Sequence, residues 1–198
     1  MANVTTDKIR NIGLFGHGHS GKTMLAEAML FSMGVTTRMG KIEDGSTASD
    51  FNKQEVERQI SIAASVLRGT VKDHALNIID APGFADFIGE VVSSLRAVDL
   101  ALLVVDGSTG HDIGHARVFS MAEEQSLPRM FFVSKLDREH VKWNETISGL
   151  QEEFGTSVQV VDFPVGAGMG FHTIASALTM KEYKYAQDGS GKFTEGRG

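Results

Sequence analysis

The stretch from Ile9 to Thr23 reads IRNIGLFGHGHSGKT and decides the fold. Its first part is a short, mainly apolar run, which predicts a buried strand that feeds a loop at Gly16. The residues from Met24 to Met33 then place apolar side chains at helical spacing and stop at Gly34, which predicts a helix. A strand, a glycine-rich loop and a helix in direct succession indicate an α/β fold whose first loop carries a binding site.

The glycine-rich loop matches the pattern Gly-x-x-x-x-Gly-Lys-Ser/Thr in full. Its glycines let backbone N–H groups turn inward around an anion, and the following helix adds the positive end of its dipole. Lys22 is expected to reach the β- and γ-phosphates of a nucleotide, and Thr23 to hold Mg²⁺. A ligand-free glycine turn is the alternative, which the flanking strand and helix disfavour. The predicted phosphate-binding residues are Gly16, His17, Gly18, His19, Ser20, Gly21, Lys22 and Thr23.

A second loop follows a pair of strand-like segments, Ser61 to Val71 and Ala75 to Ile79. The short link between these segments predicts an antiparallel hairpin. Asp80 at the end of the hairpin can hold a metal ion through water, and the amide of Gly83 can sense a γ-phosphate. The predicted nucleotide-binding residues of this loop are Asp80, Ala81, Pro82 and Gly83.

A third loop reads SKLD and follows the predicted strand Arg129 to Val133. A carboxylate such as that of Asp137 accepts both N–H donors on the edge of guanine, whereas adenine presents a mismatched pattern. Ligands of open α/β sheets bind outside the carboxyl ends of the strands, so the three loops are expected to share one ligand. The predicted base-binding residues are Ser134, Lys135, Leu136 and Asp137.

The composition limits the classes of function. The chain has 198 residues, 41% of them hydrophobic, and a net charge of −6 at pH 7. This acidic balance argues against a generally basic surface, so no direct sequence-specific binding of nucleic acid is expected. The absence of cysteine excludes disulfides and thiolate metal sites. The apolar runs are strand-sized and the N-terminus lacks the apolar stretch of a secretory signal, so we expect a cytoplasmic location and no membrane contact.

The rest of the chain alternates helices and strands up to about residue 155, which predicts a mostly parallel sheet with helices on both faces. Residues 34–59 are polar and show no clear period, which is typical of a long functional loop. Beyond Gly155 short strands follow one another, and the tail from Asp188 offers little to bury. We therefore place a domain boundary near residue 156. The predicted helices are 87–97, 113–125 and 142–154, and the predicted strands are 100–105, 129–133, 158–163, 171–174 and 177–185.

Three stretches resemble translation elongation factor G: Asn11 to Thr23, Lys72 to Asp80, and Phe163 to Ala167. The resemblance extends from about residue 8 to about residue 185 and is shared by the related ribosomal-protection proteins. It implies a P-loop NTPase fold and a translational GTPase that works on the ribosome with GTP or GDP and Mg²⁺. It also implies that residues 1–156 form a GTP-binding core without its last strand. Residues 157–198 would be part of an inserted β-rich subdomain of a longer protein.

The chain departs from the family pattern at several positions of the expected site. The family places a water-positioning His after its Asp-Thr-Pro-Gly loop, where this chain has Phe84, so slow hydrolysis is expected. Ser61 replaces the threonine that supplies a second metal hydroxyl, Ser134 replaces an asparagine, and His19 replaces an aspartate. The resemblance thus implies Lys22, Gly83 and the substituted Phe84 as the catalytic positions. It implies Thr23, Ser61 and Asp80 as metal residues.

The residues leave several functions open. The leading hypothesis is a GTP-hydrolysing switch of translation, in which GTP orders the long loop and the Asp80 region. A GTP-binding switch with little or no hydrolysis is favoured by Phe84, and a ribosomal-protection-type relative fits the same motifs. A P-loop kinase or ATPase is disfavoured by Asp137. The oligomeric state is not indicated by any motif.

Overall fold

A computed structural model describes residues 4–197, and the chain divides into two compact units. The first unit contains the residues up to Val105 together with Asp112–Phe132, and the second contains Asp106–His111 and the residues from Val133 onward. The helices and strands along the chain are, in order, β1 (Ile9–Phe15), α1 (Lys22–Ser32), α2 (Lys53–Arg58), β2 (Ser65–Val71), β3 (His74–Asp80), α3 (Ile88–Leu95), β4 (Leu100–Asp106), α4 (Ile113–Glu124), β5 (Arg129–Ser134), α5 (Trp143–Phe154), β6 (Asp162–Pro164), β7 (Thr173–Ser176), β8 (Lys181–Tyr185) and β9 (Phe193–Arg197).

The first unit is built on a five-stranded sheet with the order β2-β3-β1-β4-β5. Strand β1 runs parallel to both β3 and β4, and β2 pairs antiparallel with β3, as the short link between them predicts. In the β1–β3 register Leu14 lies opposite Asp80. Because parallel strands end at the same edge of a sheet, the loops that begin at Gly16 and Ala81 leave the sheet side by side.

Helices cover both faces of this sheet, and β1 shows how. Successive side chains of a strand point to opposite faces. Leu14 packs in a core cluster with residues of α1, whereas Phe15 packs in a second cluster with residues of α3 and α4. Both side chains are fully buried, and burial of each stabilises the fold by about 1.5–3 kcal/mol. The predicted α/β class, with a mostly parallel sheet and one antiparallel pair, is confirmed.

The second unit contains α5 and a separate antiparallel sheet with the order β6-β7-β8-β9. Its strands are short, and many of its apolar side chains are exposed, among them Leu178 and Met180 at 73% each. A β-rich segment after α5 agrees with the sequence. The boundary near residue 156 stays a prediction.

The long polar loop differs from its predicted form because it contains a helix, α2. Glu55 accepts a hydrogen bond from the N–H of Asn52, which is half of a capping box. The sequence contains this Asn-x-x-Glu pattern, but a helix of six residues is too short to show a helical period of apolar residues. Strand β2 also begins at Ser65 instead of Ser61. The amides of Ile62 and Ala63 donate to Glu55 and are not available for the ladder.

The tail differs from its predicted form as well, since Phe193–Arg197 pairs with β8 as strand β9. The ring of Phe193 packs against the rings of Tyr183 and Tyr185, with centroids 5.6 and 5.5 Å away. At 158–163 only the last residues are extended, as part of β6. Across residues 4–197, none of the helices is both long enough and apolar enough to cross a membrane.

Candidate nucleotide-binding site

The loop between β1 and α1 depends on glycine at two positions. Gly16 has a φ of +144°, and a Cβ there would lie 2.4 Å from the backbone oxygen of Val104 in β4. Gly21, which precedes α1, has a φ of +96°. Residues other than glycine are strained in such conformations. The ammonium of Lys22 donates to the carbonyls of Gly16 and His17, at 3.0 and 2.7 Å, and so spans the loop from the first turn of α1.

The loop after β3 touches this glycine-rich loop directly. The N–H of Gly18 donates to the carbonyl of Gly83 at 3.1 Å. A Cβ on Gly83 would lie within 2.5 Å of both the Lys22 Nζ and the Gly18 nitrogen, so no side chain fits there. The structure therefore brings together the glycine-rich loop and the Asp80–Gly83 loop. Ala81 and Pro82, which precede Gly83, are buried.

The side chains of Thr23, Ser61 and Asp80, each of which carries oxygen, lie close together beside these loops. The hydroxyl of Thr23 donates to Oδ2 of Asp80 at 2.8 Å and lies 3.5 Å from the hydroxyl of Ser61. The other carboxylate oxygen of Asp80 is buried and makes no hydrogen bond of normal geometry to the residues that the structure describes, although the nearby Ser49 hydroxyl favours the charged carboxylate. Burial raises the pKa of Asp80 to about 6, against the opposing effects of the Thr23 hydrogen bond and the Lys22 charge. A buried carboxylate oxygen without a hydrogen bond of normal geometry, beside two hydroxyls, fits a hard divalent cation such as Mg²⁺.

The sequence did not indicate two further polar side chains at this place. Asp50 is 6% exposed and lines the same pocket as Thr23 and Ser61. Its Oδ1 is buried without a hydrogen-bond partner within residues 4–197, and burial raises its pKa. Ser49 beside it is buried too. Both lie in the long polar loop, where no spacing pattern distinguishes them, so only the structure reveals them.

The ring of Phe84 lies on the glycine-rich loop. A Cβ added to Gly18 would be 2.8 Å from this ring, and the ring of His19 meets it edge-on with centroids 5.6 Å apart. Phe84 also lines the pocket, together with Ile42 and Ile60. An apolar ring, which neither donates nor accepts a proton, therefore occupies the position where the resemblance implies a histidine.

The third loop belongs to the second unit. Ser134 ends β5, and Lys135, with a φ of +57°, donates its ammonium to Asp106 at 2.6 Å. Burial favours the neutral form of Asp106, but hydrogen bonds from Lys135 and Ser108 outweigh it and lower the pKa. The carbonyl of Leu136 accepts the N–H of Gly168 at 2.7 Å. Asp137 is exposed, so its carboxylate is accessible to a ligand.

Comparison with known proteins identifies relatives of the whole chain. The family model described as elongation factor Tu GTP binding domain matches residues 7–193. The chain is 36% identical over 187 residues to ribosome-releasing factor 2, mitochondrial, of Drosophila melanogaster, covering 94% of this chain and 25% of the relative. It is 35% identical over 191 residues to elongation factor G of Petrotoga mobilis, covering 96% of this chain and 27% of the relative.

A solved structure agrees with these relatives. The crystal structure of ttk003000868 from Thermus thermophilus matches with a TM-score of 0.89 and 31% identity, over 96% of this chain and 28% of that one. The chain thus spans about a quarter of the length of these proteins. The resemblance to elongation factor G is confirmed, and the chain belongs to the family of elongation factor Tu GTP-binding domains.

Proposed function

We propose that the chain is the Mg²⁺- and GTP-dependent switch domain of a translation factor that acts on the ribosome. One observation carries the proposal: the phosphate loop and the loop after Asp80 meet at Lys22, through the Gly18–Gly83 hydrogen bond. The names of the relatives, a ribosome-releasing factor and an elongation factor, support the ribosome as the partner. The ribosome-releasing factor 2 relatives are named as mitochondrial, so the cytoplasmic location stays a prediction.

The contact at Lys22 explains how a γ-phosphate would act. The Lys22 ammonium, which now donates to two loop carbonyls, would turn to the phosphate oxygens. The N–H of Gly18 bonds either to the Gly83 carbonyl or to a ligand, because one N–H makes one good hydrogen bond at a time. A phosphate that takes this N–H would therefore displace the Gly83 loop. Two alternative partners for one donor give the site two states, which is what a nucleotide switch requires.

The proposed metal residues are Thr23, Ser61 and Asp80, with Asp50 beside them. Bound Mg²⁺ would neutralise charge on the phosphates. Thr23 is the first residue after Lys22, so helix α1 places a phosphate ligand and a metal ligand next to each other. Ser61 lies directly after the long polar loop, between α2 and β2, so the position of this segment would depend on what occupies the site.

Guanine specificity is proposed for Asp137. A carboxylate that accepts two N–H donors from guanine would be left unpaired by adenine, and that mismatch gives such sites large discrimination. The loop is anchored by the Lys135–Asp106 ion pair and by the carbonyl of Leu136, so its backbone is held while Asp137 stays accessible. We further propose that residues 157–198 are part of an inserted subdomain.

A second candidate function is a GTP-binding switch with little turnover, and Phe84 favours it. A positioned proton-transfer group contributes about 10²–10⁴-fold in rate. Phe84 provides none, and its ring packs on the phosphate loop. Within the first candidate function, intrinsic hydrolysis is therefore expected to be slow.

Replacing Phe84 with histidine tests whether residue 84 limits the rate of hydrolysis. In the longer protein, on ribosomes, F84H is expected to raise single-turnover GTP hydrolysis by about 10²-fold, because it adds a proton-transfer group. F84L is the matched control, since it changes the ring without adding such a group, and it should give no gain. If F84H gives no gain while nucleotide binding is unchanged, the chain positions the attacking water by other means or has no use for hydrolysis.

A further inference from the structure

We propose that two buried glutamates, Glu27 and Glu55, are positioning residues that hold the long loop at the metal site. The inference rests on the proposed function, because it concerns the residues that would surround Mg²⁺. Each glutamate accepts backbone N–H groups that lie next to a polar residue of the proposed metal site. Together the two glutamates fix the two segments that contribute to this site: Ser49 and Asp50 before α2, and Ser61 after it.

Glu27 lies on α1, four residues after Thr23, and therefore on the same face of the helix. It is 1% exposed, and both of its carboxylate oxygens are used. Oε2 accepts the N–H of Gly40 at 2.7 Å, and Oε1 accepts the N–H of Ala48 at 2.6 Å. Ser49 and Asp50 follow Ala48 directly. Helix α1, which presents Thr23, therefore also fixes the position of Ser49 and Asp50 through Glu27.

The segment between the two amides is itself compact. A Cβ on Gly40 would lie 2.4 Å from the carbonyl oxygen of Ser46, and the N–H of Ser46 donates to Lys41 at 3.1 Å. Residues 40–48 thus form a closed turn whose two ends are held by one carboxylate. A change at Glu27 is therefore expected to affect both ends of this turn, one of which leads to Asp50.

Glu55 holds the other side. It is 1% exposed and lies on α2. Its Oε1 accepts the N–H groups of Ile62 and Ala63 at 2.9 and 3.1 Å, and its Oε2 accepts the N–H of Asn52 at 3.2 Å. Ile62 follows Ser61, whose hydroxyl lies 3.5 Å from that of Thr23. Glu55 therefore ties α2 to Ser61, one of the proposed metal residues.

The chemistry of a carboxylate explains why glutamate stands at both positions. An ionised carboxylate only accepts hydrogen bonds, and charge-assisted bonds are stronger than neutral ones. One side chain can therefore pin two or three amides. Glutamine has the same shape but offers one acceptor and an NH₂ donor, which would face a second backbone N–H. Mutation of a group that orients a metal ligand typically lowers the metal affinity by about 10–100-fold.

The test uses Glu27→Gln and Glu55→Gln in the chain, with a fluorescent, non-hydrolysable GTP analogue as the probe, because GTP is the ligand expected to order the long loop. We measure the Mg²⁺ concentration that half-maximally slows release of the analogue. Each substitution is expected to raise this concentration about 10-fold. Release in excess EDTA should stay as in the wild type, because the phosphate loop is untouched. Val118→Ala, a core substitution in α4, is the control for general loss of stability and should leave the Mg²⁺ midpoint unchanged.

Amide hydrogen exchange gives a second readout that needs neither nucleotide nor Mg²⁺. In the wild type the amides of Gly40, Ala48, Ile62 and Ala63 should exchange more slowly than those of the exposed residues Glu43 and Asp44. E27Q should lose protection at Gly40 or Ala48 only, because these two amides donate to different oxygens of Glu27. E55Q should lose protection either at Asn52 or at both Ile62 and Ala63, because the last two amides share one oxygen of Glu55.

Two results would overturn the inference: fast exchange at all four amides in the wild type, or an unchanged Mg²⁺ midpoint in both variants. The exchange arm keeps it testable if a variant does not fold. Failure of the wild type to bind the GTP analogue would instead count against the proposed function, and the exchange results would still report on the glutamates.

Discussion

Lys22→Ala should remove most of the stabilisation that GDP and Mg²⁺ give to the chain. A ligand at 100 times its dissociation constant stabilises a fold by about 2.7 kcal/mol, and this gain should fall close to zero in the variant. The ammonium of Lys22 lies in the pocket between the glycine-rich loop and Gly83, so its loss removes the charge that would face the phosphates. The carbonyls of Gly16 and His17 lose a donor at the same time.

The measurement is urea unfolding with and without GDP and Mg²⁺. Lys53→Ala is the matched control, since it removes the same charge from an exposed side chain. It should keep the full ligand-dependent gain in the free energy of unfolding. If Lys22→Ala retains a gain equal to that of the wild type, Lys22 does not bind the phosphates.

Gly16→Ala should destabilise the fold even without nucleotide. The added Cβ would lie 2.4 Å from the Val104 carbonyl oxygen, which belongs to the backbone of a central strand and has no room to move. Overpacking typically costs about 1–3 kcal/mol, and a residue forced into a sparsely populated conformation costs about 1–3 kcal/mol more. We therefore expect a loss of roughly 3 kcal/mol or more in the free energy of unfolding.

Gly34→Ala separates the collision from the backbone strain. Gly34 has a φ of +67°, but a Cβ there meets nothing within 4 Å. Its substitution should cost only the left-handed conformation, about 1–2 kcal/mol. Both variants are compared by urea unfolding of the nucleotide-free chain. Equal losses in the two variants would show that the contact with Val104 does not constrain the loop.

The elements that frame the phosphate loop could be predicted from the sequence because chemistry leaves few alternatives there. The loop follows an apolar strand, contains glycines at positive φ and ends at a lysine that begins a helix. This combination is typical of one backbone geometry. Asp80 could be placed as well, because the parallel ladder of β1 and β3 puts both strand ends at one edge. For Asp80 and for the loop at Gly16, position along the chain was sufficient.

Asp50, Glu27 and Glu55 could not be placed in the same way. Their importance comes from the backbone groups and hydroxyls that surround them after folding, and a polar loop carries no period that points to a neighbour. Glu27 even lies in a helix whose apolar spacing suggests an ordinary surface charge, although the structure buries it to 1% exposure. Contacts with distant backbone N–H groups leave no local pattern in the sequence.

Strand β9 shows a related reason for failure. The tail from Asp188 has few apolar residues, so its own sequence favours a loop. Pairing with β8 and the contacts of Phe193 with two tyrosine rings supply the missing stabilisation. Such help from a neighbouring strand overrides local preference, which is common for β-structure.

Calorimetric titration of the chain with GTP, GDP and ATP, each in Mg²⁺ and in excess EDTA, tests the proposed nucleotide site most directly. Guanine nucleotides should bind, their affinity should fall when Mg²⁺ is removed, and ATP should bind far more weakly than GTP. Equal affinities for ATP and GTP would contradict the guanine role of Asp137. An affinity for GTP that does not depend on Mg²⁺ would contradict the metal role of Thr23, Ser61 and Asp80.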